Sequence, residues 1–436
     1  MFRVLWLKSK IENITMFALA DCNNFYVSCE RAFNPKLEDR PVVVLSNNDG
    51  CIIARSEEAK SIGIGMGNPF FQVRDIIDRY DVQVFSSNYT LYGDMSTRVM
   101  SILSEFTPEI EVYSIDEAFM NFNHLKVPEM ESTAREIRRK VKQWTGIPVS
   151  IGIAATKTLA KLANRTAKKN PASGGVFLLD SDEKIKASLA RTETGDIWGI
   201  GRHLAKRLQR EGVYTAQDLA KADDVEIKKI LGVCGLRTAM ELRGVSCIKL
   251  EDAPAPRKSV CCSRSFGRDV STLDDLSEAI SLYTADAAER LRHEKLAAGT
   301  MTVFLDTGRF RKKCPYYFNS VSKTMAVPSS NTGELAGHAI KLIQNIYREK
   351  FIYKKAGIIF TDLSATAAVQ LDLFSENPAN FAKSCMLSET VDSINRRFGD
   401  GSVFYANEGV GKSWAMLRGR CSPHYTTKWD EIPEAG

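Results

Sequence analysis

The chain has 436 residues, 44% of them hydrophobic, with a formal net charge of +6, ten cysteines and five histidines. That length exceeds one compact domain and sets an expectation of three or four. No run approaches the roughly 20 apolar residues of a membrane span. The cysteines show no Cys-x-x-Cys and one adjacent pair, Cys261-Cys262, which argues against a zinc site or disulfide framework and for reduced thiols in a cytoplasm.

Residues 1–15 carry lysines, Arg3 and Glu12 but neither an apolar core nor a cleavage site, so they do not read as a signal peptide. Met16 stands directly before the first clear strand, which makes 1–15 an upstream start or an extension outside the fold. Phe17-Ala18-Leu19-Ala20 reads as a buried strand closed by Asp21, and Val42-Val43-Val44-Leu45 as another. Residues 55–62 and 89–105 fit helices. Residues 110–115 and 117–122 fit two strands of a hairpin with Asp116-Glu117 at its tip. A basic amphipathic helix over 130–144, a strand at Val149-Ser150-Ile151-Gly152-Ile153 and a helix over 156–168 follow. The order β, insertion, α, β, β, α, β predicts a ferredoxin-like α+β core with a small domain inserted after the first strand. Residues 181–243 read as short helices and 244–256, with Pro254 and Pro256, as a linker. Residues 257–360 alternate strands and helices and hold 17 Lys and Arg against 10 Asp and Glu, a net +7 that exceeds the charge of the whole chain. By charge alone, such a concentration suits either a module that tracks a phosphate backbone or an ordinary solvated face. From 361 small and polar residues dominate, predicting a less ordered tail over 361–436.

Three carboxylates carry the chemistry. Asp21, Asp116 and Glu117 end or join apolar strands of one sheet, where desolvation is costly unless a cation meets them. Carboxylates at adjacent strand ends suit Mg²⁺, which leaves coordination positions for phosphate oxygens. That is the arrangement of a two-metal phosphoryl or nucleotidyl transfer site. Further on, Trp198-Gly199-Ile200-Gly201-Arg202, a basic helix and Gly212 look like a helix-hairpin-helix, whose Gly199-x-Gly201 turn offers backbone N–H groups to a phosphate.

The run Ala20-Asp21-Cys22-Asn23-Asn24-Phe25-Tyr26-Val27-Ser28-Cys29-Glu30 resembles the first motif of the Y-family, or translesion, DNA polymerases. Tyr113-Ser114-Ile115-Asp116-Glu117-Ala118 and the stretch from Ser150 to Lys161 continue the resemblance in the same order, and it covers nearly all of 16–436. The segment Ser422 to Trp429 is similar to the UmuC branch of that family. The resemblance implies an error-prone, template-directed DNA polymerase of SOS-type damage tolerance, built as a right hand: palm at 16–24 and 89–180, small fingers at 25–88, helical thumb at 181–243 and an α/β little finger at 257–360. It implies two Mg²⁺ ions held by Asp21, Asp116, Glu117 and the backbone carbonyl of Cys22, and Tyr26 as a steric gate against a 2′-hydroxyl. Lys60 and Lys168 would meet the dNTP triphosphate, with Lys169 hard to separate from Lys168. Ala54 stands where many members carry a threonine that touches the triphosphate, a contact Arg55 would have to supply. Arg257, Arg264, Arg268, Arg309, Arg311, Lys312 and Lys313 become expected contacts to primer-template DNA, damaged templates included. Gln370-Leu371-Asp372-Leu373-Phe374 resembles a sliding-clamp peptide, with Gln370, Leu371, Leu373 and Phe374 as the docking residues. A UmuD-type dimer and RecA are the further partners the resemblance implies, with no membrane involved.

Two other readings compete. A nucleotidyl cyclase also places carboxylates on a ferredoxin-like core, but has no need of a helix-hairpin-helix, a basic module or a clamp peptide. An inactive DNA-binding scaffold would not need all three carboxylates.

Overall fold

β1 (Phe17–Cys22) is buried along its whole length, and its apolar residues serve both faces of a sheet. The computed structural model describes residues 15–251, 256–309, 315–370 and 378–433. After β1 the chain leaves for an insertion: the helix Phe25–Phe33, β2 (Val42–Leu45), β3 (Ile52–Arg55), the helices Glu57–Ser61 and Arg74–Arg79, and β4 (Gln83–Ser86). These strands form a small sheet in the order β3-β2-β4, closed over by Ile64, Val73 and Ile77.

The helix Tyr89–Ser104 returns the chain to the main sheet. β5 (Ile110–Val112), β6 (Glu117–Asn121), the helix Val127–Thr145, β7 (Val149–Ala154), the helix Lys157–Lys169 and β8 (Val176–Leu178) follow. The strand order β5-β6-β1-β7-β8 is the ferredoxin-like order with one further strand, β8, parallel to β7 at the edge. Alternation along the strands divides the core. Ala18, Ala20, Ala118 and Met120 face the helices that carry Tyr92, Val99, Ile137 and Val141. Phe17, Leu19 and Phe119 face the opposite side, with Leu159 and Leu162 and with Leu189, Leu208, Leu219 and Leu242 from the short helices beyond. Those are Asp182–Ala190, Arg202–Arg210, Ala216–Lys221 and Asp224–Leu242, the last broken at Gly232, whose φ is 72°.

Gly152 fixes the second layer. A Cβ there would lie 2.0 Å from the backbone nitrogen of Asn164, so only glycine lets the helix Lys157–Lys169 approach β7 this closely. Asn164 uses the approach: its side-chain amide donates to the carbonyls of Leu19 at 3.2 Å and Ser150 at 2.7 Å.

The chain forms two compact units. The first takes the described residues before Ser46, those from Cys51 to 251, and those from Arg420 onward; the second takes Ser46–Gly50 and 256 to Gly419. In the second, β9 (Ser259–Val270), β10 (Leu296–Asp306), β11 (Phe318–Ser329) and β12 (Tyr353–Ala365) form an antiparallel sheet in the order β11-β10-β12-β9. The helices Leu273–His293 and Thr332–Ile346 cover one face and complete its core.

The region after Thr361 holds more structure than its composition suggests. β12 continues to Ala365 because Ser364 and Ala365 still pair with Ala297 and Leu296. The helix Pro378–Phe398 follows, and the segment from Arg420 packs back into the first unit. Among the described residues no helix is long and apolar enough to cross a membrane.

Candidate active site

Backbone register sets the carboxylates. Asp21 is the cross-strand partner of Glu117 in the β1–β6 ladder, and the Cys22 N–H donates to the Asp116 carbonyl at 2.8 Å, which ties the hairpin tip to the end of β1. The Asp116 carboxylate accepts from the Ser114 hydroxyl at 2.6 Å. As cross-strand partners, the Asp21 and Glu117 carboxyls lie close enough to influence each other's protonation. Burial raises the Asp21 carboxyl to about 7, Lys168 opposing and Glu117 adding to the rise. At Glu117 burial also pushes upward, but Asp21 and Lys161 hold it below the usual carboxylate range.

One helix supplies the counter-charges. Lys161 and Lys168 are seven residues apart, two turns along one face of the helix Lys157–Lys169. Lys168 pairs with Asp21, and Lys161 with Glu117 at 2.8 Å. The Lys161 ammonium lies 4.5 Å from the ring centre of Tyr113 and 5.3 Å from that of Trp198, and the Trp198 indole N–H donates to the Tyr113 hydroxyl at 3.1 Å. Lys161 and Trp198 are site residues that sequence reasoning passed over. The signal for Lys161 was its heptad spacing from Lys168; Trp198 has none short of the fold.

A cleft of about 420 Å³ opens beside the carboxylates, lined by Asp21, Cys22, Tyr26, Arg55, Lys60, Asp116 and Lys168 among others. It thus gathers the chemical-site residues named from sequence except Glu117, which lines the adjoining hollow with Asp21, Lys161 and Lys168, and Lys169, which lines a separate hollow with Arg165 and Asn170. Asn24, whose φ of 47° is tolerated by asparagine, turns the chain from β1 into the helix Phe25–Phe33. Its side chain accepts from Lys60 at 2.9 Å and donates to Glu57 at 3.2 Å. Arg55 donates to the Ile64 carbonyl, while its Nε is buried without a partner. The Tyr26 ring stacks on Tyr92 with centres 4.4 Å apart and meets the edge of Tyr89 at 6.3 Å. Burial raises the Tyr26 phenol above its usual range, with Tyr89 adding to it.

Among the described residues no group of three His, Cys, Asp or Glu side chains is arranged to hold a metal ion, since Asp21 and Glu117 face lysine ammoniums. The donor set nonetheless suits a hard cation: three carboxylates and a backbone carbonyl are all oxygen, and the Glu117 charge raises the Asp21 carboxyl where a cation would relieve the repulsion.

The expected DNA contacts fall elsewhere. Gly201 is the N-cap of the helix Arg202–Arg210 with no side-chain cap, and Gly199 has a φ of 84°, so the turn carries the geometry read from sequence. In the second unit Arg264 pairs with Asp286 at 2.7 Å and Arg268 with Asp275 at 2.9 Å, so both guanidiniums are engaged within the unit. Arg257 pairs with Glu294 at 2.7 Å, and Arg309 donates to the Tyr316 hydroxyl at 3.2 Å. Arg311, Lys312 and Lys313 lie outside the described residues. Of the clamp-like peptide only Gln370 is described, and it is exposed; Leu371, Leu373 and Phe374 lie outside.

Comparison with solved structures gives the class. The fold is that of a Y-family DNA polymerase: a Y-family polymerase chimera superposes with a TM-score of 0.64 at 20% identity, covering 80% of this chain and 98% of that one. An insertion ternary complex of Dbh DNA polymerase superposes with a TM-score of 0.54 at 19% identity, covering 79% and 98%. Sequence relatives narrow it. The chain is 42% identical to Protein UmuC of Salmonella typhimurium over 419 residues, 96% of this chain and 99% of the relative, and 41% identical to Protein MucB of Escherichia coli over 96% and 99%. A DNA polymerase IV of Staphylococcus epidermidis is 29% identical over 70% of this chain and 82% of its own. Family models match as impB/mucB/samB family at residues 20–165, as its C-terminal domain at 257–373, and as a domain of unknown function (DUF4113) at 386–435. The chain belongs to the impB/mucB/samB family.

Proposed function

We propose that the cleft lined by Tyr26, Lys60, Asp21 and Asp116, with Glu117 in the hollow beside it, is the nucleotide site of this polymerase. The chain is a DNA-directed DNA polymerase of the translesion class, as its family and relatives show. The observation that carries the site reading is the convergence of Asp21, Asp116, Tyr26, Arg55, Lys60 and Lys168 on one cleft, from segments spread over almost 150 residues of sequence.

Each side chain has a task its surroundings support. Lys60 and Lys168 are mobile point charges suited to a triphosphate. Arg55 lines the cleft, so its guanidinium is placed to meet an anion there and to stand in for the threonine absent at Ala54. Tyr26 presents a ring backed by Tyr92, which suits a wall beneath the incoming sugar. Asp21, Asp116, Glu117 and the Cys22 carbonyl would hold divalent cations, two Mg²⁺ in the reading we favour, once Lys168 and Lys161 turn away from the carboxylates. Bound there, such cations supply the charge that lowers the pKa of a primer 3′-hydroxyl and neutralises the leaving pyrophosphate.

DNA contacts divide between the units. The uncapped N-terminus after Gly201 suits a primer phosphate. The open face of the second unit's sheet carries Ser259, Ser263, Thr300, Thr302, Ser320 and Ser322, short hydroxyls that bond a sugar-phosphate backbone without reading its sequence. Arg264 and Arg268 would join only by exchanging Asp286 and Asp275 for phosphate. Gln370-Leu371-Asp372-Leu373-Phe374 suits a clamp pocket, and a UmuD-type dimer and RecA are the partners that the UmuC likeness favours.

Primer extension on a template with an abasic site tests the reading. Full-length product with dNTP and Mg²⁺, lost on Asp116→Asn, is the expected result. A protein that cyclises a nucleoside triphosphate without template, or binds DNA without extending it, would overturn it.

A further inference from the structure

The segment from Arg420 onward belongs to the family model without assigned function, yet it reaches into the first unit beneath Tyr26. The helix Phe25–Phe33 presents Tyr26, Glu30 and Phe33 on one face, at spacings of four and three. Each meets a different part of the support. Tyr26 stacks on Tyr92 with planes 15° apart. The Tyr92 hydroxyl donates to Glu30 Oε1 at 2.7 Å, and the Ser422 hydroxyl donates to the same oxygen at 3.0 Å. Phe33 stacks on Tyr425 at 4.8 Å. The other wall is pinned as well. Asn88 caps the helix Tyr89–Ser104 by accepting from the Leu91 N–H at 3.2 Å, and its amide donates to the carbonyls of Ser422 at 3.0 Å and Pro423 at 3.1 Å. Ser86 and Arg420 exchange two further hydrogen bonds, of 2.9 and 3.0 Å. Glu30, Asn88 and Tyr92 are each 1% exposed or less, and Ser422 is 6% exposed, so these bonds form away from competing water.

We propose that residues 420–425 are a built-in positioning element for the sugar gate: through Ser422, Glu30 and Tyr92 they fix the plane of the Tyr26 ring, and so the discrimination against ribonucleotides. The proposal rests on the reading of Tyr26 as the gate. Ser422, Glu30 and Tyr92 are positioning residues, because none of them lines the cleft. The physical reason is freedom of the ring. A phenol stacked on an unpinned neighbour tilts with it, and a tilted ring edge leaves room for a 2′-hydroxyl. Pinning that neighbour from the far side, by a carboxylate that the tail also holds, removes the tilt.

The test compares insertion of a dNTP and its matching rNTP by the full chain on an undamaged primer-template, for Ser422→Ala, Tyr92→Phe, Ser422→Thr and Tyr26→Ala. Removing one hydrogen bond from the support should lower the dNTP-to-rNTP ratio of kcat/KM by about three- to ten-fold in Ser422→Ala and in Tyr92→Phe, with dNTP kcat/KM itself within about two-fold of wild type. Ser422→Thr, which keeps the hydroxyl, should retain the wild-type ratio. Adding Ser422→Ala to Tyr26→Ala should change the ratio no further. A purely structural role would lower the melting temperature and leave the ratio where it was. If Tyr26→Ala collapses the ratio while either Ser422→Ala or Tyr92→Phe keeps it at wild type, the positioning role is wrong and the gate stands. If Tyr26→Ala leaves the ratio unchanged, the gate reading fails and the proposal with it. Should Ser422→Ala fold poorly, Tyr92→Phe, which keeps the stacked ring, decides the matter alone.

Discussion

Asp21 sits directly opposite Glu117 across the β1–β6 ladder, with Asp116 one residue earlier in the turn. Their proximity is thus a property of strand register. A slip of one residue would send Asp21 to the other face of the sheet and abolish the site without changing a side chain.

Asp116→Asn tests that cluster with little disturbance of the fold, because the backbone bond from Cys22 to the Asp116 carbonyl survives the change. Primer extension should fall by about 10³-fold or more, the scale of losing charge stabilisation at a transferring phosphoryl group. Affinity for primer-template, read by fluorescence anisotropy, should stay within a few-fold. Near-normal extension would remove Asp116 from the chemistry.

Gly152→Ala addresses the helix that brings both lysines. Its Cβ would collide with backbone, which cannot rotate aside, so a loss of roughly 3 kcal/mol in denaturant unfolding is expected. The displaced helix would also carry Lys161 and Lys168 away from Glu117 and Asp21, so dNTP KM should rise in whatever protein still folds. Stability equal to wild type would mean that the layer is not close-packed.

Glu30 gives a pH prediction. Burial raises its carboxyl from 4.5 to about 7, against the pull of its bonds from Tyr92 and Ser422. A carboxyl with a raised pKa holds its proton more tightly in the folded state. Its contribution is therefore complete below the unfolded value and is lost as pH rises from about 4.5 through about 7. Glu30→Gln should flatten that part of the stability curve, by up to roughly 3 kcal/mol across the window. Urea titrations of both proteins at about pH 5 and about pH 8 measure it. Parallel curves would show that Glu30 titrates normally.

Much of the fold was legible because its signals are local. The strand of Phe17-Ala18-Leu19-Ala20, the hairpin around Asp116-Glu117 and the order of helices and strands up to 168 all follow from hydrophobic pattern and the placement of acids. Lys161 against Glu117 was not, because its partners Tyr113 and Trp198 come from distant segments. Nor was the return of Ser422 to Glu30, which spans 392 residues of chain. Counting charge over 257–360 located an excess but missed how part of it is used. Arg264 and Arg268 meet Asp286 and Asp275 from a helix one layer away, and composition does not record layers.

Salt dependence tests what remains of that excess. Affinity for primer-template should drop by about 10³-fold between about 50 and 200 mM salt, as for a protein that neutralises roughly six phosphates. A flat response would mean that binding is carried by other forces.

The closing of residues 420–425 onto Glu30 and Asn88 also orders events during synthesis. A ribosome releases the strands of the first unit early, but the hydroxyl and carbonyls that complete its buried polar network emerge only after the whole second unit has been made. A chain cut short before Arg420 keeps every carboxylate of the site yet leaves the Asn88 amide without its tail acceptors and Glu30 with one donor fewer. On the positioning role proposed for residues 420–425, this would couple competence to completion: such a fragment would keep the carboxylates but lose the bonds that hold Tyr92 behind Tyr26.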